Sequence, residues 1–271
     1  MPRMFRLITA TIAAVMMSGA MSVAQSASAT GGTGEVISNG SLIHTLRATP
    51  VIGQPYSATQ VHKTVRKLAD GTTISHEGHH FVARDSAGRV RVEMRIAKGP
   101  SGGPDTVLVF VADPVAHTIT TWATGPKVNK VASVVKVPAE PKQKAVTSEP
   151  KVARTSTRPQ PVVTTEDLGV QALDGLPVSD VRTTTVVPAG WSGNDAPITK
   201  TREVWTSADL KLVMKEQWED PRSGERTIEL SNFSRVEPDT ALFRAPQGYA
   251  VKDALQTMKE LAEKLSEAEN Q

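Results

Sequence analysis

Residues 89–96, RVRVEMRI, decide how this chain is read. Val90, Val92, Met94 and Ile96 alternate with Arg89, Arg91, Glu93 and Arg95, and a period of two gives a strand one apolar face and one wet face. Upstream, 58–68 (ATQVHKTVRKL) and 73–84 (TISHEGHHFVAR) read as two more strands, joined by the turns Ala69-Asp70-Gly71-Thr72 and Asp85-Ser86-Ala87-Gly88. Asp70-Gly71 suits a type I′ hairpin turn, whose two central residues both need positive φ. The stretch therefore predicts an antiparallel meander.

The same style extends outward in both directions. After the Gly/Pro break at 99–104 (GPSGGP), 106–112 and 117–124 form a second predicted hairpin around Asp113-Pro114-Val115-Ala116. Further strands are predicted at 178–187, 198–206, 210–219 and 225–235, separated by Asn194-Asp195-Ala196-Pro197, Ser207-Ala208-Asp209 and Asp220-Pro221-Arg222-Ser223-Gly224, all turn-forming clusters. Between the two groups lies 137–161, Pro/Lys/Ser/Thr-rich and without hydrophobic period, expected as an extended linker or loop. At the far end Ala254, Met258, Leu261, Leu265 and Ala268 recur at spacings of four and three, predicting an amphipathic helix over 252–271.

The first thirty residues have a different logic. Arg3 and Arg6 precede the uncharged apolar run Leu7–Met17, and small residues follow, the layout of a secretory signal. A signal peptide over 1–24 is expected, with cleavage after Ala24 or after Ala29. Eleven apolar residues fall short of the roughly 20 a membrane-spanning helix needs, so no transmembrane anchor is expected in the mature chain. The chain has no cysteine; this excludes disulfides, thiolate metal sites and a lipoprotein acceptor thiol, and leaves stability to a buried core. The expectation is a mainly β fold: a curved antiparallel sheet or half-barrel of about ten strands, with halves at 30–136 and 162–251 and the helix at the C-terminus.

The net charge of +3 is unevenly placed. Lys127 to Arg158 carries eight Lys and Arg against Glu140 and Glu149, a local net of +6. The basicity thus belongs to the linker, and no aromatic residue interleaves with it, so nucleic acid is not an expected partner.

One motif tempts a catalytic reading. His76-Glu77-Gly78-His79-His80 matches H-E-x-x-H, which on a helix sets two histidines toward a zinc ion with the glutamate as base. Here the motif lies among β-patterned residues with Gly78 inside it. A strand turns His76 and His80 to one face and Glu77 to the other, so a zinc hydrolase through His76, Glu77 and His80 is the weakest reading. Those two histidines remain the only metal candidates, no cofactor is expected, and no catalytic residue is assigned. The sequence contains no Rossmann fingerprint or phosphate loop. Trp122, Trp205 and Trp218 stand in predicted strands, as core residues or as the lining of an apolar concavity.

Two resemblances arise from these residues. The turns Leu68-Ala69-Asp70-Gly71, Arg84–Arg89 and Asp113–Ala116, with Glu203–Leu212 and Glu237–Tyr249, resemble a family of uncharacterised exported proteins of acidobacterial type. More remotely, the Trp strand, the Asp-Pro-x-x-Gly hairpin at 220–224 and the closing Pro238-Asp239-x-x-Leu242-Phe243-x-x-Pro246-x-Gly248-Tyr249 resemble the end of periplasmic lipoprotein carriers, the outer-membrane lipoprotein sorting proteins. That likeness implies a concave half-barrel holding acyl chains, and no catalytic residues. The function expected is a non-enzymatic, periplasmic or secreted envelope protein. It would bind an apolar ligand, lipid or lipidated partner in a sheet concavity, or else act structurally through the basic linker and terminal helix.

Overall fold

The computed structural model describes residues 50–96, 106–137 and 159–257. The signal segment, most of the linker, the 99–104 break and the terminal helix beyond Thr257 lie outside the described residues. The 58–96 meander is present as β1 (Tyr56–Lys67), β2 (Thr73–Arg84) and β3 (Val90–Arg95). It continues into β4 (Val107–Asp113), β5 (Thr118–Thr124) and β6 (Val131–Lys136). The second half is β7 (Val162–Leu173), β8 (Leu176–Val187), β9 (Ile198–Ser207), β10 (Leu212–Asp220) and β11 (Gly224–Ser234), followed by a 3-10 helix (Thr240–Phe243) and β12 (Ala250–Asp253).

All twelve strands belong to one open sheet in the order β12-β6-β5-β4-β3-β2-β1-β11-β10-β9-β8-β7. Two meanders are thus sewn together by one long-range seam, β1 against β11, in which Gln60 faces Leu230 and Val65 faces Glu225. Among the described strands only β12 runs parallel to its neighbour, β6.

The turns differ from expectation in one respect. In the β1–β2 loop only Gly71 takes positive φ, 85°; its N–H donates to the Leu68 carbonyl while Leu68 N–H donates to Thr72. Five residues separate the pair Lys67↔Thr73, too many for a two-residue type I′ turn. Asp70 helps from its side chain instead, accepting from Thr72 N–H. The type I′ geometry occurs at Asp174-Gly175, where φ is 49° and 74°, between the closing pair Leu173↔Leu176 of β7 and β8.

Burial runs along the strands. β1 begins buried and ends exposed, β2 does the reverse, and β9 and β10 repeat the pattern. Because neighbours are antiparallel, these gradients place all the buried termini at one end of the sheet. There Arg84 of β2, 1% exposed, donates to the carbonyl of Leu210 in the β9–β10 turn at 2.6 Å. In the sheet order β1 and β11 stand between β2 and β10, so this bond requires the sheet to curl. One end is closed and the other flares.

A large cluster fills the closed end: Tyr56, Val82, Val92 and Phe110 on β1–β4, continuing through Leu210, Leu212 and Met214 to Trp205. A second cluster lies on the opposite face, where Val109, Val111, Trp122 and Ala132 meet Leu242, Phe243 and Tyr249. The closing segment is therefore a strap. Asp239 caps its 3-10 turn by accepting from Ala241 N–H, Phe243 lies under the Arg89 guanidinium at 5.1 Å, and Tyr249 Oη donates to the Ala123 carbonyl at 2.8 Å. Glu237 accepts from Ser86 through both its backbone N–H and its hydroxyl. The strap ends in β12, whose Asp253 accepts from the N–H groups of Leu255 and Gln256 and so caps the first helical turn of the terminal segment.

Candidate functional site at the flared end of the sheet

Residues paired across a sheet share a face, so the registers assemble a site from distant parts of the chain. One row runs Leu108–Met94–His80–Gln60–Leu230. The next runs Gly78–His62–Ile228–Glu216–Val204. A third, nearer the flared end, runs His76–Thr64–Arg226–Trp218–Arg202. These rows lie where the packed core gives way to the open end.

Their side chains interlock. His62 Nε2 lies 2.9 Å from Gln60 Oε1, and its ring meets that of His80 at a centroid distance of 4.7 Å. Glu216, 2% exposed, accepts from Arg202 Nε at 2.5 Å, and the guanidinium of Arg226 sits 4.9 Å from the Trp218 ring centre. Burial lowers the His62 pKa to about 4, helped by His80 and Arg226. Burial likewise lowers that of His80, with His79 adding to it. For Glu216, burial raises the carboxyl pKa against the pull of Arg202 and Arg226. The two imidazoles are thus neutral hydrogen-bonding groups over the buried carboxylate–guanidinium pair.

The pH consequence has a definite sign. His62 binds fewer protons folded than unfolded between pH 6.5 and about 4, so its contribution to stability is lost as pH falls through that window. Glu216, with its folded pKa raised, acts oppositely and loses stability as pH rises above the unfolded carboxylate value. The His62→Gln variant is expected to flatten the fall in melting temperature between pH 6.5 and 4. An unchanged acid limb would place the titrating group elsewhere.

The sequence-derived candidates fall into different places. His76 and His80 share a face on β2, two residues either side of Gly78, but His80 meets His62. Glu77 is on the other face, 3.1 Å from His79, and among the described residues no group of three His, Cys, Asp or Glu is arranged to hold a metal. Trp122 is 4% exposed beneath the strap. Trp205 joins the large cluster with the Lys215 ammonium 4.7 Å from its ring. Lys215 and Trp218 are three positions apart on β10, so Trp205 and Trp218 lie on opposite faces. The three tryptophans do not line one concavity.

Gln60, His62, Arg202, Glu216 and Arg226 were missed from sequence. A signal for the first two existed: counting back from the Asp70-Gly71 turn along the pairing Lys67↔Thr73 sets His62 opposite Gly78 and Gln60 opposite His80.

The apolar surface at the flared end is a strip, not an enclosed cavity. Ile74 is 38% and Ile96 44% exposed, and Met94 and Leu108 are half-buried beside the core. Two open grooves lie apart from it, one where the β1–β2 loop meets the β10–β11 turn and one on the opposite face of β1, β10 and β11. One of about 390 Å³ is lined by Val65, Arg66, Lys67, Pro221, Arg222 and Gly224. The other, of about 310 Å³, is lined by Lys63, Lys215, Gln217, Thr227 and Glu229 among others. Both are rich in charged and polar groups.

Fold and site together define an open, curled antiparallel sheet closed at one end, with a mixed apolar and cationic mouth. No family model and no curated protein matches the chain. Among solved structures it is similar to MucB, at 14% identity and a TM-score of 0.36, over 76% of this chain and 62% of that one. It is also similar to the Mycobacterium tuberculosis lipoprotein LppX, at 13% identity and 0.28, over 74% and 99% of the two chains. A LolA superfamily protein from Nitrosomonas europaea matches at 10% and 0.28, over 77% and 99%. The chain spans less than two thirds of the length of MucB. Similarity at this level is one of strand layout and identifies neither ligand nor partner. The acidobacterial likeness has no counterpart among these matches.

Proposed function

We propose that this chain is a non-catalytic, exported binding protein of the cell envelope that holds an amphiphile, a lipid or a lipidated partner, across the flared end of its sheet. The observation that carries the reading is the division of that end. Ile74, Met94, Ile96 and Leu108 offer partly exposed apolar surface on the β2–β4 side. Trp218, Arg202 and Arg226 stand on the β9–β11 side, with Arg66 on the same face of β1. An acyl chain along the strip removes apolar area from water, and an anionic head group meets guanidinium donors suited to oxygen acceptors. The closed end serves as a rigid base. The signal-like segment at 1–24 supplies the envelope location in this account.

Titration with single-chain lysophosphatidylglycerol below its micelle concentration, its acyl chain brominated, is expected to quench tryptophan fluorescence saturably. Zwitterionic lysophosphatidylcholine should bind more weakly. The double variant Met94→Glu/Leu108→Glu is expected to bind about tenfold less tightly, the effect of losing about 1.4 kcal/mol of apolar contact. Equal quenching by wild type and variant, with both folded, would overturn the proposal.

A further inference from the structure

We propose that the free edge of β7 is a docking strand for an extended, basic peptide segment of another protein, which would add to the sheet as its next strand. β7 is twelve residues long and, among the described residues, pairs only with β8. Its outer row of N–H and C=O groups is a pairing template. It is not held in place by burying a face: Val162 and Val163, which point to opposite faces, are 61% and 58% exposed, and Val170 is 74% exposed. Val and Thr nonetheless occupy 162–165, so strand-forming residues persist where no core calls for them.

The usual guards of an edge are mostly missing here. Lysine, arginine and proline are absent from β7, and the single irregularity is the bulge between Asp167 and Gly169. That bulge leaves Val162–Glu166 as an uninterrupted run, within the length of an ordinary strand. The opposite edge of the sheet, β12, is only four residues long.

Charge selects the occupant. Glu166 and Asp167 are the charged residues of β7, both exposed. The nearest cation across the ladder, Arg182 opposite Glu166, is bonded to Glu203 at 2.7 Å. A second copy pairing antiparallel with Glu166 opposite the other copy's Asp167 would bring two such acidic pairs together, and like charges opposed across strands destabilise a sheet. A strand bearing Lys or Arg at these positions gains where a second copy loses, with backbone bonds supplying the affinity and charge the selectivity.

The test uses the whole folded protein and a fluorescein-labelled ten-residue peptide of alternating Lys and Val, compared with its Glu/Val counterpart. Anisotropy is expected to show the Lys peptide binding at least about tenfold more tightly, about 1.4 kcal/mol. The preference should reverse in Glu166→Lys/Asp167→Lys, whose substituted positions are exposed. Strand addition uses one edge of the peptide only, so N-methylation of alternate residues should abolish binding in one phase and spare it in the other. Amides of 162–166 should gain exchange protection. Equal binding of both peptides, indifference to the phase of N-methylation, or self-association of the chain through β7 would each overturn the proposal.

Discussion

Gly224→Ala is expected to be among the most destabilising single substitutions in the chain, lowering the unfolding free energy by about 3–5 kcal/mol. Two independent causes converge on this position. Gly224 has φ of 89°, in the left-handed region, and a Cβ there would lie 2.2 Å from the carbonyl oxygen of Val65 and 3.0 Å from Arg66 Cα. Both are backbone atoms of β1, so no side chain can swing aside to make room. The clash falls where β11 starts against β1, on the seam that joins the two meanders. At about 2–4 °C per kcal/mol for a domain of this size, the melting temperature should fall by about 6–20 °C. Gly71→Ala is the matched control: its φ is 85°, yet nothing lies within 4 Å of the added Cβ. It should cost only about 1 kcal/mol. Equal losses in the two variants would show that backbone conformation alone matters and that the seam tolerates separation.

The second large effect is expected at Arg84. Its Nη2 donates to Leu210 and its Nε to the Gln54 carbonyl at 2.9 Å, while the guanidinium lies 5.0 Å from the Tyr56 ring centre. Charged hydrogen bonds of this kind contribute about 1.5–3 kcal/mol each. Arg84→Met, similar in volume but unable to donate, should cost about 3 kcal/mol or more and let the closed end open. Arg84→Lys should recover only part of that, because an ammonium lacks the planar fork that reaches both carbonyls. Thermal unfolding together with binding of a hydrophobic dye reads both consequences. A Met variant with wild-type stability and no added dye binding would mean that the sheet keeps its curl without this bond.

How much of this was legible in the sequence depends on what each residue's position depends on. The β1–β3 meander was readable because Val90, Val92 and Met94 face a core and their neighbours face water, which imposes the period of two. β7 escaped for the opposite physical reason. Both of its faces are exposed, so no alternation is selected, although Asp174-Gly175 between Leu173 and Leu176 carried a turn signal. β6 follows the loop at 125–130 and runs into the Pro/Lys-rich stretch, and β12 is four exposed residues paired in parallel; neither offers a pattern.

The site divides in the same way. His62 and Gln60 follow from hairpin register, a local property. Glu216 does not, because its burial depends on β10 lying beside β11 and β11 lying beside β1, a contact between residues as far apart as Gln60 and Leu230. The H-E-x-x-H string shows the converse: local identity without the helix its chemistry needs. The closing Pro-Asp…Gly-Tyr motif is a strap that fixes Phe243 and Tyr249 over β3–β6.

The central claim, that the flared end holds an amphiphile, is tested most directly by extracting lipids from the natively purified protein and quantifying them by mass spectrometry. An amphiphile with an anionic head group recovered in near-stoichiometric amount, and depleted from Met94→Glu/Leu108→Glu purified identically, is the predicted result. Lipid-free wild-type protein, or the same lipid at the same level in both proteins, would contradict it.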